Sequence, residues 1–174
     1  GKLGISFQSE LNYKPDFFDT RQCTTCPTES SDVLTLLGSM SHSANYNFLG
    51  SDRVSLILDM QVQKINQLDS DGRSAFGSPI SDFSWGYIAV VTLDYQDAFA
   101  NIKISPSIVW VHDVKGYEPG AAGGLSEDEQ AISASVNFSY LSSASLKLTY
   151  STWLGDNGAN YDRDNVSLSF KYSF

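Results

Sequence analysis

The chain alternates apolar and polar residues with a period of two over most of its length. In its last ten residues, Val166, Leu168, Phe170, Tyr172 and Phe174 share one phase, and the other phase is polar. This period indicates a β-strand whose two faces meet different solvents. One such segment fits a strand of a soluble β-protein and a strand of an outer-membrane barrel equally well.

Eight segments carry this alternation, and the connections between them distinguish the two folds. We predict strands at 2–14, 33–48, 54–63, 83–96, 102–114, 132–140, 146–151 and 165–174. The connections after strands one, three, five and seven are long and polar, whereas the other three are short. Short turns at one end and long loops at the other are typical of outer-membrane barrels. Residues 1–174 are therefore expected to form a single all-β domain, an antiparallel transmembrane up-and-down β-barrel, rather than a soluble β-sandwich.

Composition agrees with this fold and excludes one class of partner. The formal net charge is -9 and the pI is about 4.4, which argues against nucleic acid because nucleic acid requires a basic footprint. No run approaches the roughly 18 apolar residues of a membrane helix. Barrel strands place their lipid-facing residues among polar ones, so the slightly negative mean hydropathy of -0.19 is compatible with a membrane.

The polar phase is rich in serine and carries six charged residues that we expect to face the lumen. They are Glu10, Asp59, Asp94, Lys103, Lys147 and Lys171. These charges either pair across the lumen or are separately hydrated. An eight-stranded barrel has an interior that side chains just fill, and serine is small for that purpose. A serine-rich interior is therefore easier to explain as part of the wall around a wider lumen than as the interior of a closed eight-stranded barrel.

Aromatic residues concentrate near both ends of the predicted strands, as in the two girdles that mark the membrane interfaces. The girdle residues are Tyr13, Tyr46, Phe48, Trp85, Tyr95, Trp110 and Tyr140. In a soluble protein the same residues would be core aromatics. Phe170, Tyr172 and Phe174 close the chain, and we expect them to act as the assembly signal that the barrel assembly machinery reads.

The chain starts inside an alternating pattern at Gly1, so it is expected to be a processed mature form or a piece of a longer polypeptide. Cys23 and Cys26 lie in a polar loop, and in an oxidising compartment we expect a local disulfide. A redox-active pair and half of a zinc site are the alternatives, and no second cysteine pair or nearby histidine supports zinc.

The sequence contains little of what a catalytic or metal-binding site requires. A nucleophilic hydrolase would need Ser, His and Asp together; there is no Gly-x-Ser-x-Gly elbow, and the histidines are His42 and His112. His112 and Asp113 are adjacent in a strand, so they point to opposite faces and cannot act as a pair. We therefore predict neither an enzyme nor a cofactor.

The acidic loops have two interpretations. Asp156, Asp162 and Asp164 are candidate calcium ligands, alone or bridging to lipopolysaccharide phosphates, although their spacing does not match an EF-hand. A solvated acidic loop is the simpler interpretation there. The segment Ser126–Glu129 is likewise expected to be a solvated loop.

Two stretches of the C-terminal third resemble a known family. Residues 110–120, WVHDVKGYEPG, resemble its W-x-H-D-V-x-G-Y-x-P-G stretch, and residues 162–174 resemble its closing D-R-D-x-x-S-L-S-x-x-Y-S-F. Asn165 stands where that family usually has an aromatic residue. The family is a large group of proteobacterial outer-membrane proteins, catalogued as a domain of unknown function and similar to porin-like barrels. Some members are linked with the handling of hydrophobic compounds or lipids.

The resemblance implies an outer-membrane location in a Gram-negative bacterium and a chain that is the C-terminal part of a larger barrel. It supplies no catalytic residues. The expected function is porin-like passage or handling of solutes, with hydrophobic or lipid-like cargo implied by the resemblance alone. The alternative is an anchoring barrel whose external loops contact a protein partner or a surface. Expected partners are outer-membrane lipid, lipopolysaccharide, the assembly machinery and other outer-membrane or periplasmic proteins.

Overall fold

All the secondary structure of the described chain is β-strand. A computed structural model describes residues 4–19, 30–66, 80–118, 124–141, 143–154 and 163–173. The strands are β1 (Ile5–Asp19), β2 (Ser30–Ala44), β3 (Arg53–Asn66), β4 (Phe83–Phe99), β5 (Ile102–Lys115), β6 (Gln130–Tyr140), β7 (Ala144–Leu154) and β8 (Asn165–Tyr172). They form one antiparallel sheet in the order β1 to β8, which confirms the predicted all-β, up-and-down topology. The sheet is not closed, because β1 and β8 form its two edges.

Strand ends differ from the sequence prediction where the chain turns or loses a ladder bond. β2 ends at Ala44, because the chain turns at residues 48–51 with Leu49 and Gly50 at positive φ. β1 continues past Pro15 to Asp19, with a register irregularity between Lys14 and Phe18. β1 is an edge strand, where the N–H that proline lacks is dispensable.

The register tilts the strands across the sheet. From Ile5, the first residue of β1, the transverse row of paired residues ends at Val166, near the start of β8. The row is Ile5, His42, Leu56, Val91, Ile108, Ala134, Tyr150 and Val166. It thus climbs from the short-turn end of the first strand to the long-loop end of the last. Strand tilt of this kind is a requirement for a sheet to close into a barrel.

The pairing register separates two faces. The row through Ile5 lies on what we call the apolar face, where large side chains are solvent-accessible in the isolated chain: Phe7 is 75% exposed and Phe170 is 69% exposed. The opposite side, the polar face, carries a row of hydroxyl residues that crosses seven strands. This hydroxyl row is Ser43, Ser55, Thr92, Ser107, Ser135, Thr149 and Ser167.

The most buried residues of the sheet lie at its long-loop end. Val33 and Ile65 pair with each other in the register and are buried with Ile80 from the following connection. Ser84 is 1% exposed on the neighbouring strand. Burial there comes from loop residues that fold onto the sheet. No helix in the described ranges is long and apolar enough to cross a membrane.

Candidate functional site at the polar face

The connection after β5 folds onto the polar face. The Gln61 Nε2 of β3 donates to Glu118 Oε1 at 2.6 Å. The backbone N–H of Glu118 donates to the Leu125 carbonyl at 2.9 Å, so the two described arms of the connection are held together. This connection, residues 116–118 and 124–129, is called the inward loop below.

A carboxylate at each end of the inward loop fixes its course. Asp113 Oδ2 accepts from the N–H of Ser126 at 3.0 Å, and Glu127 Oε2 accepts from the N–H of Gly116 at 2.9 Å. The prediction that Ser126–Glu129 is a solvated loop is therefore wrong in part: Asp128 is exposed, but its neighbours bind the end of β5. A carboxylate that accepts backbone N–H groups orders a loop that its charge alone would expose.

Two glycines let the inward loop approach the sheet. Gly116 has φ +81°, and a Cβ there would collide with the Phe83 carbonyl oxygen and with Ser84. A Cβ on Gly86 would lie 2.8 Å from Leu125 Cδ2 and 2.9 Å from the His112 carbonyl oxygen. Only a residue without a Cβ permits both approaches.

A cavity of about 760 Å³ lies between the inward loop and the polar face of β1 to β5. Its volume is within the ordinary range for small-molecule sites. The residues around it are Gln8, Ser9, Glu10, Leu37, Gly38, Ser39, Asp59, Met60, Gln61, Gly86, Tyr87, Ile88, Val111, Asp113, Glu118, Gly124, Leu125, Ser126 and Glu129.

Apart from Asp94, the acidic residues of the polar face cluster at the height of this cavity. Glu10 and Asp113 lie in one transverse row, which passes through Gln61. Asp59 lies two residues further along β3 toward the short-turn end, and its Oδ1 accepts from the Ser39 hydroxyl at 2.6 Å. Two of the six predicted lumen charges, Glu10 and Asp59, therefore lie at the same site. Glu118 comes from the inward loop, so the sequence pattern did not associate it with them.

The basic residues of the polar face lie toward the short-turn end. Arg53 and Lys147 lie in the same transverse row as Asp94 and Ser105. Lys103 and Lys171 occupy the ends of the next row. Arg53 and Gln61 are eight positions apart on β3, a rise of roughly 26 Å, and the hydroxyl row lies between them. Lys14, at the long-loop end of β1, is a basic residue outside this arrangement.

Two of the predicted lumen charges form an ion pair between neighbouring strands of the described sheet. Lys103 Nζ lies 2.9 Å from Asp94 Oδ1, and the Ser105 hydroxyl donates to the same oxygen at 2.7 Å. The polar hydroxyls also bond to adjacent strands, as Ser43 does with Ser55 at 3.1 Å. Asp94 and Lys103 thus pair between adjacent strands of the sheet.

The histidines are separated and face the apolar side. His42 pairs with Leu56 on β3, and His112 pairs with Tyr87 on β4. The His112 Nδ1 lies 3.3 Å from the Tyr87 hydroxyl, and its ring stacks on Trp110 at 5.8 Å. Asp113 lies on the opposite face, as the strand geometry predicts.

The predicted girdle residues follow the apolar face and its ends. Tyr13, Tyr46, Phe48, Trp110 and Tyr140 are exposed. Trp85 and Tyr95 are half-buried, and the Tyr95 hydroxyl donates to the Leu49 carbonyl at 3.1 Å. Of the predicted closing aromatics, Phe170 and Tyr172 are exposed on β8, and Phe174 lies outside the described residues.

Most of the predicted calcium ligands and both cysteines of the predicted disulfide lie outside the described residues. Cys23, Cys26, Asp156 and Asp162 all lie there. Asp164 accepts a hydrogen bond from the Tyr150 hydroxyl at 2.7 Å, and this bond lowers the pKa of the Asp164 carboxyl. Within the described ranges, no group of three or more His, Cys, Asp or Glu side chains is placed to hold a metal ion.

Comparison with known proteins returned one family. A family model described as "Protein of unknown function (DUF1302)" matches residues 1–174. No match was found among curated proteins or among solved structures.

Proposed function

We propose a function on the premise that this chain belongs to the DUF1302 family of proteins of unknown function, whose model spans residues 1–174. The sheet is part or all of a transmembrane β-barrel in the outer membrane of a Gram-negative bacterium. Its activity is porin-like passage or handling of solutes, without coupled chemistry. The resemblance of the C-terminal third to porin-like outer-membrane proteins supports this location.

The observation that carries the proposal is the difference between the two faces. Large apolar side chains are exposed on every strand of the sheet, from Phe7 on β1 to Phe170 on β8. Monomeric soluble proteins rarely expose apolar surface on this scale. The other face presents the hydroxyl row and the charged rows. Lipid on one side and water on the other account for both faces.

Two measurements test the location and the passage. A barrel purified in detergent should migrate faster on gels before boiling than after, and outer membranes should release it only with detergent. Reconstituted in planar bilayers, it should give stepwise conductance in KCl, with boiled protein as the control. Release of the native protein by salt or alkali would contradict the proposed location.

The second candidate function is an anchoring barrel that presents external loops to a partner. The inward loop favours it, because Glu118 and Leu125 occupy space that a solute would cross. A barrel that is heat-modifiable and detergent-extracted, but gives no conductance, would support anchoring and contradict passage.

A further inference from the structure

The polar face contains an apolar patch beside its acidic residues. Ile57 of β3 pairs with Val90 of β4, which pairs with Val109 of β5, and Ile88 of β4 pairs with Val111 of β5. By phase, these residues belong to the side that carries the hydroxyl row. Ile57 and Ile88 are each 39% exposed. The patch is therefore accessible on a face that is mostly polar.

The cavity under the inward loop includes the Ile88 and Val111 end of this patch. Ile88, Val111 and Leu37 line it from the sheet, and Leu125 lines it from the loop. An accessible apolar surface inside a cavity of about 760 Å³ favours a ligand with an apolar body, because the ligand removes that surface from water.

The charge around the cavity is of one sign. Its acidic residues are Glu10, Asp59, Asp113, Glu118 and Glu129, and no lysine, arginine or histidine is among the described residues that line it. Glu10 and Asp113 lie four strands apart in their row, roughly 19 Å along the sheet. The carboxylates thus surround the apolar patch. Carboxylates next to apolar surface are stabilised by a counter-charge.

We infer that this cavity binds a small amphipathic organic cation, an ammonium group attached to an apolar body. The apolar body contacts Ile88, Val111 and Leu125, and the ammonium group lies against the carboxylates of Glu10 and Asp59. The inference rests on the proposed passage function, because it names the class of solute that such a lumen would hold.

The probe is 2-phenylethylammonium, compared with 2-phenylethanol and 3-phenylpropanoate, which have a similar body with neutral or negative charge. Binding is measured by calorimetry in detergent, and block of conductance is measured in bilayers. We expect the cation to bind at least about tenfold more tightly than either analogue. Equal affinity for the three probes, or a preference for the anion, would overturn the inference.

Matched variants locate the site. The double variant Glu10→Gln/Asp59→Asn should weaken binding of the cation by about fivefold or more, and Ile88→Ser should weaken it by about fourfold. The double variant Asp97→Asn/Asp128→Asn removes the same charge from exposed residues outside the cavity and should bind normally. An equal loss of cation binding in both double variants would show that the overall charge, and not this cavity, governs binding, and would contradict the proposed site.

The two proposals fail separately. Conductance without selective probe binding leaves passage standing and overturns the site. Selective binding in detergent without conductance leaves the site standing and overturns passage.

Discussion

At the scale of single residues, the polar face is held by bonds between neighbouring strands. Asp94 is the clearest case, since its Oδ1 pairs with the Lys103 ammonium group and accepts a hydrogen bond from the Ser105 hydroxyl. Its side chain is 13% exposed, so water cannot easily replace these partners. The apolar face has an opposite case: His42 Nδ1 is buried with no hydrogen-bond partner among the described residues.

The variant Asp94→Asn should lower the free energy of unfolding by about 1–3 kcal/mol, because it removes a charged acceptor and leaves Lys103 without its counter-charge. Chemical unfolding in detergent, followed by tryptophan fluorescence, measures the change. Asp97→Asn, on an exposed residue of the same strand, should change stability by less than about 0.5 kcal/mol. Equal effects would show that the ion pair contributes nothing.

The variant His42→Phe should stabilise the protein by about 1 kcal/mol, because it removes an unsatisfied buried nitrogen and keeps an aromatic ring on the apolar face. The same unfolding assay measures it. His112→Phe is the matched control: it breaks the contact with the Tyr87 hydroxyl and should give no gain. Loss of stability in His42→Phe would contradict an unsatisfied nitrogen at this position.

At the scale of elements, two features can be tested: the contact between the inward loop and the sheet, and the different surroundings of the two faces. Gly116 and Gly86 bring the loop against the sheet, and carboxylates then fix its course. Successive side chains on a strand point to opposite faces of the sheet, so substitutions at two neighbouring positions compare the two faces.

The variant Gly116→Ala should displace the inward loop and cost about 1–3 kcal/mol, because the residue has φ +81° and its Cβ would meet the Phe83 carbonyl oxygen. Limited proteolysis near residues 116–129 and the unfolding assay measure this. Gly38→Ala is the control, since a Cβ there meets nothing within 4 Å. Equal protease resistance in both variants would contradict the fixed loop.

Neighbouring lysine substitutions on β7 should distinguish the faces. Leu148 lies on the apolar face and Thr149 in the hydroxyl row. In a lipid bilayer, Leu148→Lys should cost up to about 2–4 kcal/mol, whereas Thr149→Lys should be tolerated. Urea titrations of folding into lipid vesicles provide the comparison. Equal tolerance of both lysines would mean that the apolar face does not meet lipid.

At the scale of the whole molecule, the charges of the polar face are segregated along the strand direction. Most acidic residues surround the cavity at the long-loop end, and the hydroxyl row follows. Arg53 and three lysines lie toward the short turns, where Asp94 pairs with Lys103. Lys14 is a basic residue of the polar face at the long-loop end. A lumen lined in this way has opposite potentials at its two mouths.

A channel with this wall should pass unequal currents at opposite voltages of equal size. The double variant Lys147→Glu/Lys171→Glu should make the current more symmetric, because both mouths become acidic. Current–voltage curves in symmetric KCl measure the effect. Lys64→Glu, on the apolar face of β3 by register, should leave the curve unchanged. A symmetric curve for the native protein would contradict the segregation.

The sequence by itself determined the strands, their alternating faces and the long and short connections, because a period of two and the turn residues are local properties. It therefore predicted which side of the sheet Asp59 or Leu148 occupies. The tertiary structure alone decided the heights at which residues of different strands meet. Register depends on pairings between distant segments, so the clustering of Glu10 with Asp113, the hydroxyl row and the apolar patch could not be seen in the sequence. The inward loop was missed for the same reason: an acidic, glycine-rich segment looks solvated until its N–H groups and Gln61 provide partners for its carboxylates.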